Sequence, residues 1–381
     1  MSPTPVTYTS PTAPASYNWE ATDEEVAARY GIRLDRVVRF DLNTSPTPPA
    51  LAAKLLAAGR FEAPLSEYPP TDYRRLVEAA AARYGVGTDE VLVGAGADEI
   101  LDVIGKALLP AGASAIVPAP TYAMYRVITE QRAARAVIVA RRSAADGWSL
   151  DVVAVRAAAG SAAIIWLCSP NNPTGLAEPD GTIEGLLDGL AADAADARRE
   201  VPIVVLDEAY AEFVGRSLVD LRTAHPNLIV VRTASKAYAL AGLRVGFGLA
   251  TREVIARLNP YRPPGSVSTV SVTLVTEALL DPSILDANLE RVVRERARLS
   301  GALHDAGWSV GESVTNFMLV DLGSPERAAT MAEGLLRRGL VPRTFGSGHP
   351  LAGFLRLTVR DADENDRLIE AAKGLAAEAA G

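Results

Sequence analysis

Cysteine and histidine are scarce in this sequence. The chain has one cysteine, Cys168, and three histidines, His225, His304 and His349. One cysteine excludes a disulfide within the chain and a cysteine-rich zinc or iron–sulfur site, and no two histidines stand at a spacing typical of metal ligands. We therefore expect a protein without a metal centre.

Basic residues and long apolar runs are also scarce. Lys and Arg number 38 against 46 Asp and Glu, which gives a net charge of −8. This balance argues against a nucleic-acid-binding protein, whose affinity comes from clustered basic side chains. The longest apolar runs, such as 162–168, are far shorter than the roughly 18 residues of a membrane span. We expect neither a nucleic-acid partner nor a membrane segment.

The first 19 residues contain no charged side chain and are rich in Pro, Thr and Ser. A secretory signal needs a basic start followed by an apolar run, and this segment has neither. We therefore expect a flexible tail on a soluble protein of the cytoplasm.

Short apolar segments alternate with helix-like segments between residues 70 and 250. The apolar segments are Val91–Val93, Ser114–Val117, Ala136–Val139, Ala163–Leu167, Ile203–Leu206 and Leu228–Val231. Their β-branched content is typical of strands buried on both faces. Strands that alternate with helices predict an α/β fold with a mainly parallel sheet.

The chain length of 381 residues predicts two or three domains. Residues 1–45 read as an arm and a helix over Asp23–Tyr30, packing with a smaller domain or with a dimer partner. Residues 46–262 form the predicted large domain, because the proline-rich segment 260–265 breaks any helix. Residues 263–381 then form a smaller α+β domain, with helices over 285–304 and 325–338 and strands over 316–320 and 354–359.

A glycine-containing turn follows the predicted strand Val91–Val93. Gly94, Ala95 and Gly96 precede a helical pattern that begins near Ala97 and Asp98. Unpaired N–H groups at a helix N-terminus are suited to a phosphate. The turn is not a dinucleotide-binding fingerprint, because Glu99 stands at the third glycine position. A strand–helix turn without a ligand is the alternative.

Two further candidate ligand-binding positions follow predicted strands. The segment 169–175, Ser-Pro-Asn-Asn-Pro-Thr-Gly, is rigid and polar at the carboxyl end of a strand, where open α/β sheets bind ligands. Asp207 ends an apolar strand, so its carboxylate needs a cation or several donors. The alternatives are a surface turn for the first and a helix N-cap for the second.

The most informative segment surrounds Lys236. Small and apolar residues flank this lysine, and Arg244 follows eight residues later, about two turns on if the segment is helical. A partly buried lysine near another cation has a lowered pKa and becomes a nucleophilic amine. Ser235 and Arg244 could bind a phosphate. The alternative is an exposed lysine and arginine without a role.

These motifs together carry a family resemblance. The segments 169–175, Asp-Glu-Ala-Tyr at 207–210 and Ser-Lys-Ala-x-x-Leu-Ala-Gly-Leu-Arg at 235–244 resemble the fold-type-I pyridoxal 5′-phosphate (PLP) aminotransferases. Within them the chain is most similar to the histidinol-phosphate aminotransferase group, from Val38 to the C-terminus. The resemblance implies a large domain with a mainly parallel sheet and a smaller α+β domain.

The resemblance also implies a cofactor site. Lys236 matches the lysine that holds PLP covalently, and Asp207 matches the carboxylate that pairs with the pyridine nitrogen. Tyr210 and Asn172 match the groups that hydrogen-bond the ring oxygen O3′, and Tyr122 matches the aromatic side chain stacked on the ring. The groups that match the phosphate-binding residues are the N–H groups of Ala97 and Asp98, the side chains of Ser235 and Arg244, and Tyr68 from a neighbouring subunit.

For the substrates, the resemblance implies that Arg356 grips a carboxylate or phosphate, that Arg343 is a second arginine on the substrate side, and that Asn43 lies near the substrate. It implies a homodimer with shared active sites. The implied reaction is a ping-pong transamination in amino-acid biosynthesis, with 2-oxoglutarate as acceptor and Lys236 as the proton carrier.

The chain departs from the histidinol-phosphate pattern at three places. Thr44-Ser45 replaces Glu-Asn, Gly265-Ser266 replaces Tyr-Asn, and Arg360 replaces a glycine. The stretch 24–41 is more similar to the opening of threonine-phosphate decarboxylases. A PLP-dependent decarboxylase of an amino-acid phosphate is therefore the alternative activity, and a non-catalytic PLP-binding domain of a transcription regulator is a third.

Overall fold

The structure is a computed structural model that describes residues 16–380, so the first 15 residues of the predicted tail lie outside the described part. Within it the α-helices are α1 (Asp23–Tyr30), α2 (Ala50–Ala58), α3 (Arg74–Tyr84), α4 (Ala97–Leu108), α5 (Met124–Gln131), α6 (Val152–Ala158), α7 (Thr182–Asp196), α8 (Arg252–Leu258), α9 (Thr269–Leu280), α10 (Pro282–Asp305), α11 (Pro325–Leu336) and α12 (Ala362–Ala380). The strands are β1 (Val38–Arg39), β2 (Val91–Gly94), β3 (Ser114–Ala119), β4 (Arg135–Ala140), β5 (Ala162–Cys168), β6 (Ile203–Asp207), β7 (Leu228–Thr233), β8 (Gly246–Leu249), β9 (Ser309–Val310), β10 (Phe317–Asp321), β11 (Leu340–Val341) and β12 (Phe354–Thr358).

A seven-stranded sheet forms the centre of the larger unit, with strand order β2-β8-β7-β6-β5-β3-β4. Strands β3 to β7 are parallel, and β8 runs antiparallel to both β2 and β7. Ile165 and Leu167 of β5 face one hydrophobic core, while Ile164 and Trp166 face the other. Burial on both faces explains the continuous apolar runs and confirms the predicted α/β class.

The C-terminal part forms a second core. Strands β12, β10 and β9 make an antiparallel sheet, and β1 pairs with β11. Trp308, Met318 and Leu368 are buried in this core. The N-terminal helix α1 contacts this unit, since the hydroxyl of Tyr30 donates to Glu333 of α11 at 2.7 Å.

The predicted domain boundary after residue 262 stays a prediction. Helix α9 lies on its C-terminal side, yet Val272 and Val275 of α9 belong to the same core as Leu76 and Ala80 of α3. No α-helix within residues 16–380 combines the length and apolar character needed to cross a bilayer.

The carboxyl ends of β5, β6 and β7 lie side by side, because these strands are parallel neighbours. The segment after β1 also reaches this edge. Leu42 of this segment has its carbonyl oxygen 3.5 Å from Nζ of Lys236, which follows β7. Phe40 joins the same segment to the C-terminal unit, since its carbonyl accepts the backbone N–H of Thr358 of β12 at 2.8 Å. The sheet edge, the start of α4 and the C-terminal unit therefore enclose one polar region.

Candidate active site

Asp207 is the last residue of β6 and pairs in register with Cys168 of β5 and Val231 of β7. Its Oδ2 accepts a hydrogen bond from the Tyr125 hydroxyl at 2.8 Å, and its Oδ1 accepts from the N–H of Ala209 at 3.0 Å. Burial raises the pKa of Asp207 to about 6, although both donors oppose the rise. A carboxylate in this environment is suited to a cationic partner.

Lys236 lies in the segment after β7 and is partly buried. Its Nζ is 3.5 Å from the carbonyl oxygen of Leu42 and 5.9 Å from the centre of the Tyr210 ring. Burial, and after it the positive charge of Arg356, lowers the pKa of Lys236 to about 8. The amine therefore loses its proton more readily than a surface lysine does, as a nucleophile requires.

The segment between Lys236 and Arg244 is not helical, so the condition under which two helical turns would separate them is not met. Residues 236–244 are irregular apart from a short 3-10 helix at Ala241–Leu243. Arg244 has a φ of 51°, which lies in the left-handed region. This backbone conformation directs Arg244 toward α4, where its Nη2 is 3.4 Å from Oδ2 of Asp98. The turn geometry, not a helix face, places the arginine.

The N-terminus of α4 forms an anion cradle with Arg244. No side chain among the described residues caps this helix, whose N-cap is Gly96 with a φ of 85°. A Cβ on Gly96 would lie 2.5 Å from Nη2 of Arg244, and a Cβ on Gly246 would lie 2.5 Å from the backbone nitrogen of Ala97. Gly246 is therefore required for the close approach of α4 to the segment that follows Lys236, because its Cβ would meet backbone atoms. The left-handed φ of Gly96 favours glycine there for a different reason, the backbone conformation itself.

Tyr122 lies at this cradle, and Ser235 directly precedes Lys236. Ser235 is buried, and its Oγ accepts a hydrogen bond from Oγ1 of Thr233 at 2.9 Å. The Tyr122 hydroxyl donates to Oδ1 of Asp98 at 2.9 Å, and burial together with the charge of Asp98 raises the pKa of Tyr122. The Tyr122 ring is thus fixed beside the start of α4.

Tyr210, Asn43 and Asn172 form a buried polar group on the other side. The Tyr210 hydroxyl accepts from Nδ2 of Asn43 at 3.0 Å, and burial raises the pKa of Tyr210. Oδ1 of Asn172 accepts from Nη1 of Arg356 at 2.6 Å. Asn43 has a φ of 53° and is held by Thr358, whose Oγ1 accepts the Asn43 N–H at 2.9 Å.

Arg343 and Arg356 stand directly opposite each other. The N–H of each donates to the carbonyl of the other at 3.0 Å in an antiparallel bridge, so both side chains lie on one face. Arg356 is buried, and its Nε has no hydrogen-bond partner among the described residues. Burial, and to a lesser degree the charge of Arg343, lowers the pKa of Arg356. Two neighbouring guanidinium groups are suited to an anionic ligand.

Tyr68 is not part of this cluster. Its side chain is 89% exposed and lies near Gly265, whose added Cβ would be 3.8 Å from Cδ1 of Tyr68. The structure therefore brings together every other predicted site residue and leaves Tyr68 on the surface of its own chain.

Three residues near the site were missed by the sequence analysis. Tyr125 binds Asp207 from α5, and the only signal for it is its spacing of three residues from Tyr122. Tyr17 and Glu20 lie at the substrate side, where the Tyr17 ring is 6.3 Å from the Tyr122 ring. No local sequence pattern distinguishes these two residues from the rest of the tail.

Comparison with known proteins identifies the family of this arrangement. Residues 38–371 match the family model described as aminotransferase class I and II. The chain is 35% identical to the histidinol-phosphate aminotransferase of Roseiflexus castenholzii over 93% of each chain, and 34% identical to that of Methanothermobacter thermautotrophicus over 91% of each. The crystal structure of histidinol-phosphate aminotransferase from Sinorhizobium meliloti in complex with PLP matches with a TM-score of 0.84 and 25% identity, covering 95% of this chain and 96% of that one.

The residues present fit this cofactor. The open N-terminus of α4 with Arg244 can accept a phosphate, the buried carboxylate of Asp207 can pair with a protonated ring nitrogen, and Lys236 supplies an amine. The cofactor is PLP, and the protein is an enzyme that transfers amino groups. The chain belongs to the class I and II aminotransferases.

Proposed function

We propose that the enzyme moves an amino group between an amino acid, or an amino-alcohol phosphate of the histidinol-phosphate kind, and 2-oxoglutarate by a ping-pong mechanism. The observation that carries this proposal is the opposed pair Arg343 and Arg356 beside Lys236. Both substrates enter the same pocket in turn, and each presents an anionic group to this pair. The named activity of the relatives supports a role in amino-acid biosynthesis. We propose in addition that the enzyme acts in the cytoplasm.

The cofactor, when bound, supplies an electron sink for the bond that breaks at the substrate Cα. In this proposal Asp207 keeps a proton on the pyridine nitrogen, and the donors Tyr125 and Ala209 keep Asp207 ionised. Lys236 Nζ carries the proton to and from the substrate Cα, and its lowered pKa favours both directions near neutral pH.

The remaining predicted residues hold and orient the cofactor in this proposal. Tyr122 covers the ring, while Tyr210 and Asn172 hydrogen-bond its O3′ oxygen. The buried contact with Asn43 fixes the position of the Tyr210 hydroxyl. The groups that hold the phosphate are the N–H groups of Ala97 and Asp98, the hydroxyl of Ser235 and the guanidinium of Arg244.

We further propose a homodimer in which Tyr68 of the partner subunit completes the phosphate site. The exposure of 89% for the Tyr68 side chain and of 68% for Leu65 supports this proposal. Neighbouring large side chains that are exposed on one chain are typical of a surface covered in an assembly.

The test is a set of amino donors that includes histidinol phosphate, glutamate and phenylalanine. We expect at least one donor to change the absorbance of the bound cofactor. Addition of 2-oxoglutarate should then restore the absorbance, and glutamate should form as 2-oxoglutarate takes up the amino group of the donor. Release of CO₂ from an amino-acid phosphate without amino transfer would instead establish the decarboxylase. An absorbance that no donor changes would contradict the transamination, and an amino-acid phosphate that releases no CO₂ would contradict the decarboxylase.

A further inference from the structure

The segment Tyr17–Glu20 lies across the substrate side of the site. The guanidinium carbon of Arg343 is 5.3 Å from the centre of the Tyr17 ring, and Nη1 of Arg343 donates to the carbonyl of Asn18 at 2.7 Å. The Tyr17 ring also contacts Trp19, with 4.7 Å between their centres. Arg343 is therefore in contact with two successive residues of this segment, Tyr17 and Asn18.

Glu20 contributes a negative charge at the same place. Its Oε1 accepts hydrogen bonds from the N–H and the hydroxyl of Thr344, both at 2.8 Å, and lies 3.6 Å from Nη1 of Arg343. The side chains of Glu20 and Arg343 are only 18% and 17% exposed. The two hydrogen bonds fix the carboxylate beside the guanidinium, in a position screened from much of the solvent.

The two substrate-side arginines therefore outnumber the one carboxylate beside them. Arg343 and Arg356 supply two positive charges, and Glu20 offsets one of them at short range. The Glu20 carboxylate repels an anion that approaches Arg343, and the repulsion grows with the charge of that anion. A phosphate carries a charge between about −1.5 and −2 near neutral pH, whereas a carboxylate carries −1.

We propose that Glu20 is a specificity-determining residue that makes the pocket favour amino acids without a phosphate over amino-alcohol phosphates. The proposal rests on the proposed aminotransferase function and narrows its substrate class. Arg356 then binds the α-carboxylate, and Arg343, partly neutralised by Glu20, lies beside a side chain that is uncharged or singly charged.

The test compares the holoenzyme with its E20Q variant. Glutamine keeps an oxygen that can accept both hydrogen bonds from Thr344 but removes the charge. We expect E20Q to strengthen binding of inorganic phosphate about tenfold and to raise kcat/KM for histidinol phosphate by the same factor. The value of kcat/KM for glutamate should rise about threefold, and that for phenylalanine should not change. Calorimetry measures phosphate binding whether or not a donor reacts.

The matched control is E24Q, which removes the same charge from an exposed position of α1 and is expected to change none of these quantities. Variant E20A removes both the charge and the anchor to Thr344, whereas E20Q removes the charge alone. If the segment Tyr17–Glu20 acts only by covering the pocket, phenylalanine turnover changes in E20A while histidinol-phosphate turnover is unchanged in E20Q. That result, or phosphate binding that is the same in E20Q and wild type, overturns the proposal. A wild-type enzyme that no donor converts contradicts the proposed function, while the phosphate titration still decides the role of Glu20.

Discussion

The hydroxyl of Tyr125 donates a hydrogen bond to Oδ2 of Asp207 at 2.8 Å. The Tyr125 ring is stacked on Trp166 with 5.7 Å between centres and an angle of 4°, and the Trp166 indole N–H donates to Thr129 at 3.1 Å. Thr129 in turn donates to the Tyr125 carbonyl at 2.7 Å. The phenol is therefore held in a fixed direction, and it stabilises the ionised form of the carboxylate.

Substitution of Tyr125 by phenylalanine should impair catalysis without disrupting the fold. Phenylalanine keeps the stacking on Trp166 but removes a donor to Asp207, so the pKa of Asp207 rises and a larger fraction is protonated. We expect kcat to fall about tenfold, which corresponds to one charge-assisted hydrogen bond, and the acid limb of the kcat–pH profile to move to higher pH.

The control is Y84F, which removes a buried phenol whose oxygen has no partner among the described residues and which lies outside the proposed site. We expect its pH profile to match that of the wild type. An acid limb that does not move in Y125F would show that Tyr125 has no influence on Asp207.

Substitution of Asp207 by asparagine should stabilise the apoprotein in a pH-dependent way. Burial raises the pKa of Asp207 from 3.8 to about 6, so the folded state binds a proton more tightly than the unfolded state does. The charged carboxylate destabilises the fold fully above pH 6, and the effect disappears as the pH falls below about 4. Apo D207N should therefore be more stable than the apo wild type by about 2 kcal/mol at pH 8.

Denaturant titrations of both apoproteins at pH 4 and pH 8 measure this difference. The matched control is D286N, at an exposed position of α10. Its stability should equal that of the wild type at pH 4 and again at pH 8. The holoenzyme D207N should bind PLP and lose most of its activity. A D207N apoprotein that is less stable than wild type at pH 8 contradicts the assignment.

The sequence predicted the parts of the site that short segments encode. Lys236, Asp207 and the start of α4 each lie in a motif of a few residues, and the alternation of strands and helices predicted the α/β fold. Contacts between residues far apart in the sequence could not be predicted in this way. Tyr125 binds Asp207, 82 residues away in the sequence, and Glu20 binds Thr344, 324 residues away. The conformation of segment 236–244 could not be predicted from its own residues either. Their composition favours a helix, but the segment forms a turn that directs Arg244 toward α4.

Substitution of Gly246 by alanine should weaken PLP binding. The new Cβ would lie 2.4 Å from the carbonyl carbon of Gly96 and 2.5 Å from the nitrogen of Ala97, and both are backbone atoms. The start of α4 must then move away from the segment that carries Arg244. We expect the dissociation constant for PLP to rise at least about tenfold, in line with the loss of one charge-assisted contact.

The control for this substitution is G242A, since a Cβ at Gly242 would meet nothing within 4 Å. Fluorescence titration of the two apoproteins with PLP gives both constants. Equal constants for G246A and wild type would show that the close contact does not shape the phosphate site.

Subunit complementation tests the proposed shared site directly. K236A should lack turnover and the borohydride-reducible link to PLP, and Y68A should have weakened phosphate binding in both sites. In a hybrid of the two variants, Lys236 of the Y68A chain meets Tyr68 of the K236A chain, so one of the two sites is intact. Purified hybrid, isolated through two different tags, should have about half the wild-type activity because its other site carries both substitutions. A hybrid no more active than the mean of its parents would show that Tyr68 acts within its own chain or not at all.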